Sequence, residues 1–143
     1  MSRRIAAVQC TSVSDPDKNK RALSVLIAEA ASQQAALVLL PEMCLSMNSD
    51  YYHELAQDCA TLEWLGAQAA AHSLWLVAGA VPQPAPGNDP RVRSASLVFN
   101  PQGELVTRYD KIHLFDVEVG DAQGSYRESD TFSPGNDIVS IET

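Results

Sequence analysis

A continuous apolar run that ends in a proline and an acid constrains the fold of this chain more than any other stretch. Residues 37–40, Leu-Val-Leu-Leu, follow one another with no polar residue between them, which is typical of a strand buried on both faces. Pro41 has no backbone N–H to donate to a neighbouring strand, so the strand is predicted to end there and Glu42 to begin a loop. Ligands bind at the carboxyl ends of strands in open α/β sheets. Glu42 is therefore either a working acid or a solvated loop residue.

The segments before this run predict a strand, a helix and a second strand. Residues 4–9 have the pattern of a short strand. A helix is predicted from Pro16 to about Gln34, with Asp15 as its N-cap and apolar residues recurring every three or four positions. Residues 36–40 then complete a strand-helix-strand unit, whose two strands should be parallel with a right-handed crossover.

The alternation continues after Glu42 and indicates an α/β protein. A helical pattern lies within residues 51–73, and residues 74–81 have the composition of another buried strand. Residues 82–90 contain four prolines and one glycine, which predicts an exposed connection without regular structure.

The last third of the chain predicts local antiparallel pairing and then a loop. Residues 95–100 and 104–109 flank a Pro-Gln-Gly turn and should form a hairpin. Residues 110–135 are polar and nearly without periodicity, and a loop of that length in a compact domain is usually functional. Residues 137–142 are predicted to form a final strand.

Charge and cysteine content argue against several classes of protein. The 143 residues suffice for one domain with a core, and the net charge of −8, with scattered Lys and Arg, argues against nucleic-acid or membrane partners. Cys10, Cys44 and Cys59 form no short-spaced pair, which argues against a disulfide framework or zinc site and fits the cytoplasm. His53 and His72 lack the spacing of metal ligands, so we expect no metal.

Lys111 is the second candidate for chemistry, because it follows the predicted hairpin among apolar residues. Ile112, Leu114 and Phe115 flank it, so a buried amine here would meet Glu42 from a neighbouring strand end. A lysine beside a carboxylate in a partly apolar site can move protons or stabilise an oxyanion. A purely structural ion pair is the equally open alternative.

Several motifs in order along the chain resemble the nitrilase superfamily of carbon-nitrogen hydrolases. They are the opening strand IAAVQ, the LLPEM segment around Glu42, the YDKIHLFD segment from Tyr109 to Asp116 and the later RESDTFSPG. The resemblance implies a four-layer α-β-β-α sandwich that assembles into homo-oligomers. Residues 1–143 would then be a partial carbon-nitrogen hydrolase domain, the N-terminal part of that sandwich.

The resemblance also implies site residues and a substrate class. This superfamily works through a cysteine nucleophile, a glutamate base and a lysine. Glu42 would deprotonate the thiol and later a water molecule, Lys111 would stabilise the tetrahedral oxyanion, and Glu128 would be a second acid of the pocket. The segment RESDTFSPG resembles the amidase branch, which acts on small dicarboxylic acid monoamides and deaminated glutathione. No metal or organic cofactor is implied, and the partner would be a small amide.

The chain departs from the family pattern at two places. Asp110 stands where relatives commonly carry a basic residue, which alters the expected field at Lys111. Relatives place the nucleophile in a C-Y-D-type motif after the strand that here would be IVSIET, and the 143 residues contain no such motif. Each of the three cysteines is instead predicted to be a small buried hydrophobe, and His113 to pack or form hydrogen bonds.

Two hypotheses follow from the missing motif. In the first, the chain is the N-terminal portion of an amidase whose nucleophile lies in a later segment. In the second, it is a non-catalytic binding or assembly module that keeps the acid and lysine pocket. Under the first hypothesis, half of a sandwich would expose apolar sheet surface, which favours edge pairing and association.

Overall fold

A five-stranded sheet with helices on one face forms the body of the protein. The computed structural model describes residues 3–120 and 124–143. The strands lie side by side in sequence order: β1 Arg4–Ala7, β2 Ala35–Leu40, β3 Trp75–Pro84, β4 Val92–Phe99 and β5 Leu105–Asp110. The helices are α1 Pro16–Ser32, α2 Tyr52–Gln57 and α3 Cys59–His72. A separate small sheet pairs β6 Asp116–Glu118 with β7 Ser125–Arg127, and short 3₁₀ turns span Ser49–Tyr51 and Glu128–Asp130.

The pairing directions follow the sequence prediction. β1 and β2 are parallel, with α1 between them in the chain, and β2 is also parallel to β3. β3, β4 and β5 then pair antiparallel, so the predicted hairpin is confirmed. Its turn places Gly103 at φ 84°, a left-handed backbone that glycine adopts without steric cost.

The helix α1 begins where the capping signal predicts. The Asp15 carboxylate accepts hydrogen bonds from the backbone N–H groups of Asp17 and Lys18, at 3.0 and 3.2 Å. One face of the helix is buried against the sheet, where Leu23 and Ile27 are fully inaccessible. The apolar spacing therefore identifies both the helix and its buried face.

The core lies between the helices and one face of the sheet. It includes Val38 and Leu40 from β2, together with Leu76 and Leu97. The prediction that β2 is buried on both faces was wrong, because Leu39 is 43% exposed. Among the described residues, helices cover only the face that carries Val38 and Leu40.

Two predicted boundaries change because of neighbouring contacts. The predicted helical stretch divides into α2 and α3, because Asp58 adopts an extended conformation and caps α3 through the N–H of Ala60. β3 continues through Pro82 and Pro84, where we predicted no regular structure. β2 pairs with β3 only as far as Ala78, so these prolines lie where β3 has β4 as its one described neighbour.

The C-terminal third differs most from the sequence prediction. Residues 110–135 were predicted to lack regular structure, but they include β6, β7 and a 3₁₀ turn. Residues 137–142 form no strand, because no described strand provides a hydrogen-bonding ladder for them, and Ile138 is 93% exposed. No helix in the described part of the chain has the length and apolar character needed to cross a membrane.

Candidate functional site

Three charged side chains meet beside the carboxyl ends of β2 and β5. The ammonium nitrogen of Lys111 lies 2.8 Å from a carboxylate oxygen of Glu42 and 3.0 Å from the carboxylate of Glu128. The predicted approach of Glu42 and Lys111 is confirmed, and the third predicted site residue, Glu128, belongs to the same cluster. The charges sum to −1 when all three groups are ionised.

Glu42 reaches Lys111 in a different way from the one predicted. β2 and β5 are not neighbouring strands, because β3 and β4 lie between them. After β2 ends, the chain stays beside β3, where the Met43 N–H donates to the Ala80 carbonyl at 3.2 Å. Met43 has φ 50°, a left-handed backbone that costs a non-glycine residue about 1–2 kcal/mol. Strain of this kind is common next to functional residues.

The backbone of Lys111 is fixed on both sides. Its N–H donates to the Ser94 carbonyl of β4 at 2.9 Å, and its carbonyl accepts from the N–H of Gly135 at 2.9 Å. The next N–H, that of Ile112, donates to the Tyr109 hydroxyl at 3.3 Å. The lysine therefore extends from an anchored turn and not from a free loop.

Glu128 is held more tightly than Glu42. Its carboxylate accepts the backbone N–H of Phe115 at 2.6 Å, and its own N–H donates to the Phe115 carbonyl at 3.2 Å. Its side chain is 15% exposed, whereas the Glu42 side chain is 55% exposed. Glu128 thus fixes the position of the Lys111 side chain, whereas Glu42 is open to solvent and to a ligand.

The site keeps Lys111 protonated. Partial burial lowers the pKa of Lys111, but the hydrogen bonds and charges of Glu42 and Glu128 together outweigh it, and its pKa lies above the ordinary value. The sequence predicts a buried amine, and the structure differs in that the Lys111 side chain is only partly buried, at 27% exposed. A protonated lysine can stabilise negative charge on an oxygen atom.

A pocket of about 720 Å³ opens beside the charged cluster. Its apolar wall includes Tyr52 and Phe132, whose ring centroids are 5.3 Å apart. Burial first, and then the negative charges of Glu128 and Glu42, raise the pKa of the Tyr52 hydroxyl. Tyr52 and Arg127, which lines the same pocket, were not identified as site residues from the sequence. Arg127 directly precedes Glu128, so its position in the motif was a usable signal.

No cysteine is among the described residues that line this pocket. Cys44 is fully buried in the main core, and burial raises the pKa of its thiol to about 12. Cys10 is partly buried and packs against the same core. Cys59 is exposed at the start of α3, so its prediction as a buried hydrophobe was wrong.

Asp110, the residue before Lys111, pairs with arginine side chains and not with the lysine. Asp110 contacts Arg108 at 2.6 Å and lies 3.9 Å from Arg93, so two guanidinium groups balance its charge.

The prediction that His113 packs or forms hydrogen bonds was wrong, since its side chain is exposed and bonds to no other described residue. No group of three or more His, Cys, Asp or Glu side chains within residues 3–120 and 124–143 is arranged to hold a metal ion.

A family model described as carbon-nitrogen hydrolase matches residues 4–143. The chain belongs to the carbon-nitrogen hydrolase family. The chain is 36% identical over 111 residues to deaminated glutathione amidase of Yersinia enterocolitica, an alignment that covers 75% of this chain and 39% of that protein. It is 32% identical over 145 residues to omega-amidase NIT2 of Homo sapiens, covering 99% of this chain and 51% of that protein.

The fold of the chain agrees with that of a solved member of the nitrilase superfamily. The crystal structure of Saccharomyces cerevisiae Nit3, a member of branch 10 of the nitrilase superfamily, superimposes with a TM-score of 0.81 and 26% identity. That comparison covers 99% of this chain and 51% of the yeast chain. The predicted nitrilase-type α/β fold is therefore confirmed. The chain spans about half the length, or less, of the curated relatives it matches.

Proposed function

We propose that this chain supplies the glutamate and lysine part of an amidase site. The substrate class is a small amide whose acid portion carries a second carboxylate. The observation that carries the proposal is the Lys111 ammonium group, held between Glu42 and Glu128 at the mouth of a pocket. The similarity to an omega-amidase and to a deaminated glutathione amidase supports the substrate class.

The proposed reaction proceeds in two steps. Glu42 accepts the proton of a cysteine thiol, the sulfur attacks the amide carbon, and the tetrahedral oxyanion is stabilised by Lys111. The carbon–nitrogen bond then breaks, ammonia leaves with the transferred proton, and a thioester remains. Water, deprotonated by Glu42, hydrolyses the thioester to the carboxylic acid and returns the thiol. Glu128 orients Lys111 and keeps it charged.

We also propose that the thiol comes from a polypeptide segment outside these 143 residues. Support comes from the pocket, whose described lining contains no cysteine, and from Cys44, whose raised pKa of about 12 leaves it protonated near neutral pH. The same lack of a thiol favours the alternative of a non-catalytic binding or assembly module. The DNA immediately downstream discriminates between them, since a reading frame that encodes a C-Y-D-type segment favours the enzyme.

The proposed setting is a reducing cytoplasm and the proposed assembly a homo-oligomer. Cys10, Cys44 and Cys59 are all free thiols in the structure, which supports the first proposal. Exposed apolar residues on the open face of the sheet, among them Ile5 and Leu39, support the second.

Ammonia release from a dicarboxylic acid monoamide tests the proposed site in a protein extended by its downstream segment. Glu42→Gln and Lys111→Ala should each reduce kcat/KM by roughly 10³-fold or more, because the residues act as one unit. Glu54→Gln and Lys18→Ala are matched controls at exposed positions outside the pocket and should leave the rate unchanged. Full activity in Glu42→Gln would overturn the proposal.

A further inference from the structure

The charged side chains that line the pocket differ in whether another side chain already pairs with them. Glu42, Glu128 and Lys111 already contact one another, and together they carry one excess negative charge. A ligand with a carboxylate would be repelled by this cluster unless a second cation faced it. Arg127 is the other cationic side chain among the described residues that line the pocket.

Arg127 lies on β7, where its guanidinium group can contact a ligand in the pocket. It is exposed, and no carboxylate of another described residue lies within 4 Å of it. Its cross-strand neighbour is Asp116, whose carboxylate is engaged by the backbone N–H of Ser129 at 3.0 Å. The Ser129 hydroxyl and N–H, with a smaller contribution from Arg127, lower the pKa of Asp116. Asp116 is therefore already satisfied without a direct ion pair to Arg127.

Lys111 and Arg127 share the pocket with several aromatic side chains. Phe115 and Phe132 line it, and the Phe115 ring contacts that of Tyr126 with centroids 5.6 Å apart. A substrate with its amide at Lys111 and its carboxylate at Arg127 would place the methylene groups between them against this apolar wall. A guanidinium group forms two parallel hydrogen bonds with a carboxylate, which a neutral group cannot replace.

We infer that Arg127 is a specificity-determining residue that binds the remote carboxylate of the substrate. The inference rests on the proposed amidase function and adds the group that selects charged over neutral amides. Arg127 contacts no reacting atom, so its loss should weaken binding of the charged amide and leave binding of a neutral amide unchanged.

Equilibrium binding to the 143-residue chain tests this inference, with NMR titration as the readout. The two ligands are glutaric acid monoamide and pentanamide, which have chains of equal length and differ in the terminal carboxylate. Arg127→Gln should weaken binding of the monoamide about five- to tenfold and leave pentanamide unaffected. Arg127→Lys should retain part of the preference. Arg21→Gln, at an exposed position on α1, is the matched control and should change neither.

The outcomes separate this inference from the proposed function. If the wild-type chain binds the monoamide and Arg127→Gln binds it equally well, Arg127 does not determine specificity, although the amidase proposal stands. If Arg127→Gln weakens both ligands to the same extent, its role is structural and the inference is wrong. If the wild-type chain binds neither ligand, Arg127 holds no carboxylate in this pocket and the inference is wrong, whereas ammonia release by the extended protein tests the amidase proposal separately.

Discussion

Glu42 and Glu128 contact the same ammonium group but should differ in their effect on stability. The Glu128 carboxylate also accepts the Phe115 N–H and is mostly buried, whereas more than half of the Glu42 side chain is exposed. Glu128→Ala should lower the free energy of unfolding by about 2 kcal/mol, because it removes both the charge-assisted hydrogen bond to the Phe115 N–H and the ion pair with Lys111. Glu42→Ala should cost less than about 1 kcal/mol. Urea unfolding at pH 7 measures both, and equal losses would show that Glu128 is not the structural acid.

The buried thiol of Cys44 should make the fold sensitive to alkaline pH. An unfolded thiol titrates near its ordinary pKa of 9.0, whereas burial raises the folded value to about 12. Between these values the unfolded state loses its proton first, so the free energy of unfolding falls by up to about 1.4 kcal/mol per pH unit above 9.

Urea unfolding between pH 8 and 10 measures this effect. Cys44→Ala should lower the stability at pH 8 but show a smaller decline toward pH 10, and Cys59→Ser, at an exposed position, should keep the wild-type decline. The raised pKa values of Tyr52 and Lys111 lower the free energy of unfolding only above about pH 10. The measurement is therefore confined to pH 10 and below. Identical slopes in wild type and Cys44→Ala would contradict the prediction.

At the scale of elements, α3 packs against the hairpin turn through two glycines. A methyl group added at Gly66 would lie 2.5 Å from the Gly103 carbonyl oxygen, a backbone atom that cannot move alone. Gly66→Ala should therefore destabilise the protein by about 1–3 kcal/mol, although alanine favours helices over glycine. Ala67→Gly, one residue along and exposed, should cost about 1 kcal/mol from helix propensity alone. Thermal unfolding compares the two, and a stabilised Gly66→Ala would refute the close packing.

Elements with local signals could be predicted from the sequence, and those defined by distant neighbours could not. The cap at Asp15 and the turn at Gly103 depend on residues close in the chain, and both lie where predicted. The extension of β3 through Pro84 depends on where β2 ends, and the sequence of β3 itself does not predict the end of β2. For the same reason residues 137–142 look like a strand in sequence but lack a described partner.

The candidate site was predictable to a similar degree. Two motifs place Glu42 and Lys111 at the ends of their strands, so their approach could be foreseen from the sequence. The way in which Glu42 reaches Lys111 could not be foreseen, because it depends on the contact between Met43 and Ala80 of another strand. Tyr52 lies on a separate helix whose position the sequence does not encode locally.

At the scale of the molecule, the open face of the sheet should cause association. Ile5 is 69% exposed and Leu39 43% exposed on adjacent strands. We expect the 143-residue chain to self-associate, and Ile5→Lys combined with Leu39→Lys to shift it toward monomer. Val25→Lys replaces an equally exposed apolar residue on α1 and should leave the association unchanged. Light scattering after size-exclusion chromatography reads the mass, and a monomeric wild-type chain would contradict this expectation.

The central claim is that Glu42, Lys111 and Glu128 form an amidase site whose thiol lies outside these residues. The most direct measurement is ammonia release from glutaric acid monoamide by the 143-residue chain, with intact-mass detection of any acyl adduct. We expect neither ammonia nor adduct from this chain alone, and both from a protein that also contains a segment supplying the thiol. Turnover by the 143-residue chain that Cys44→Ser abolishes would contradict the claim, because it would identify Cys44 as the nucleophile.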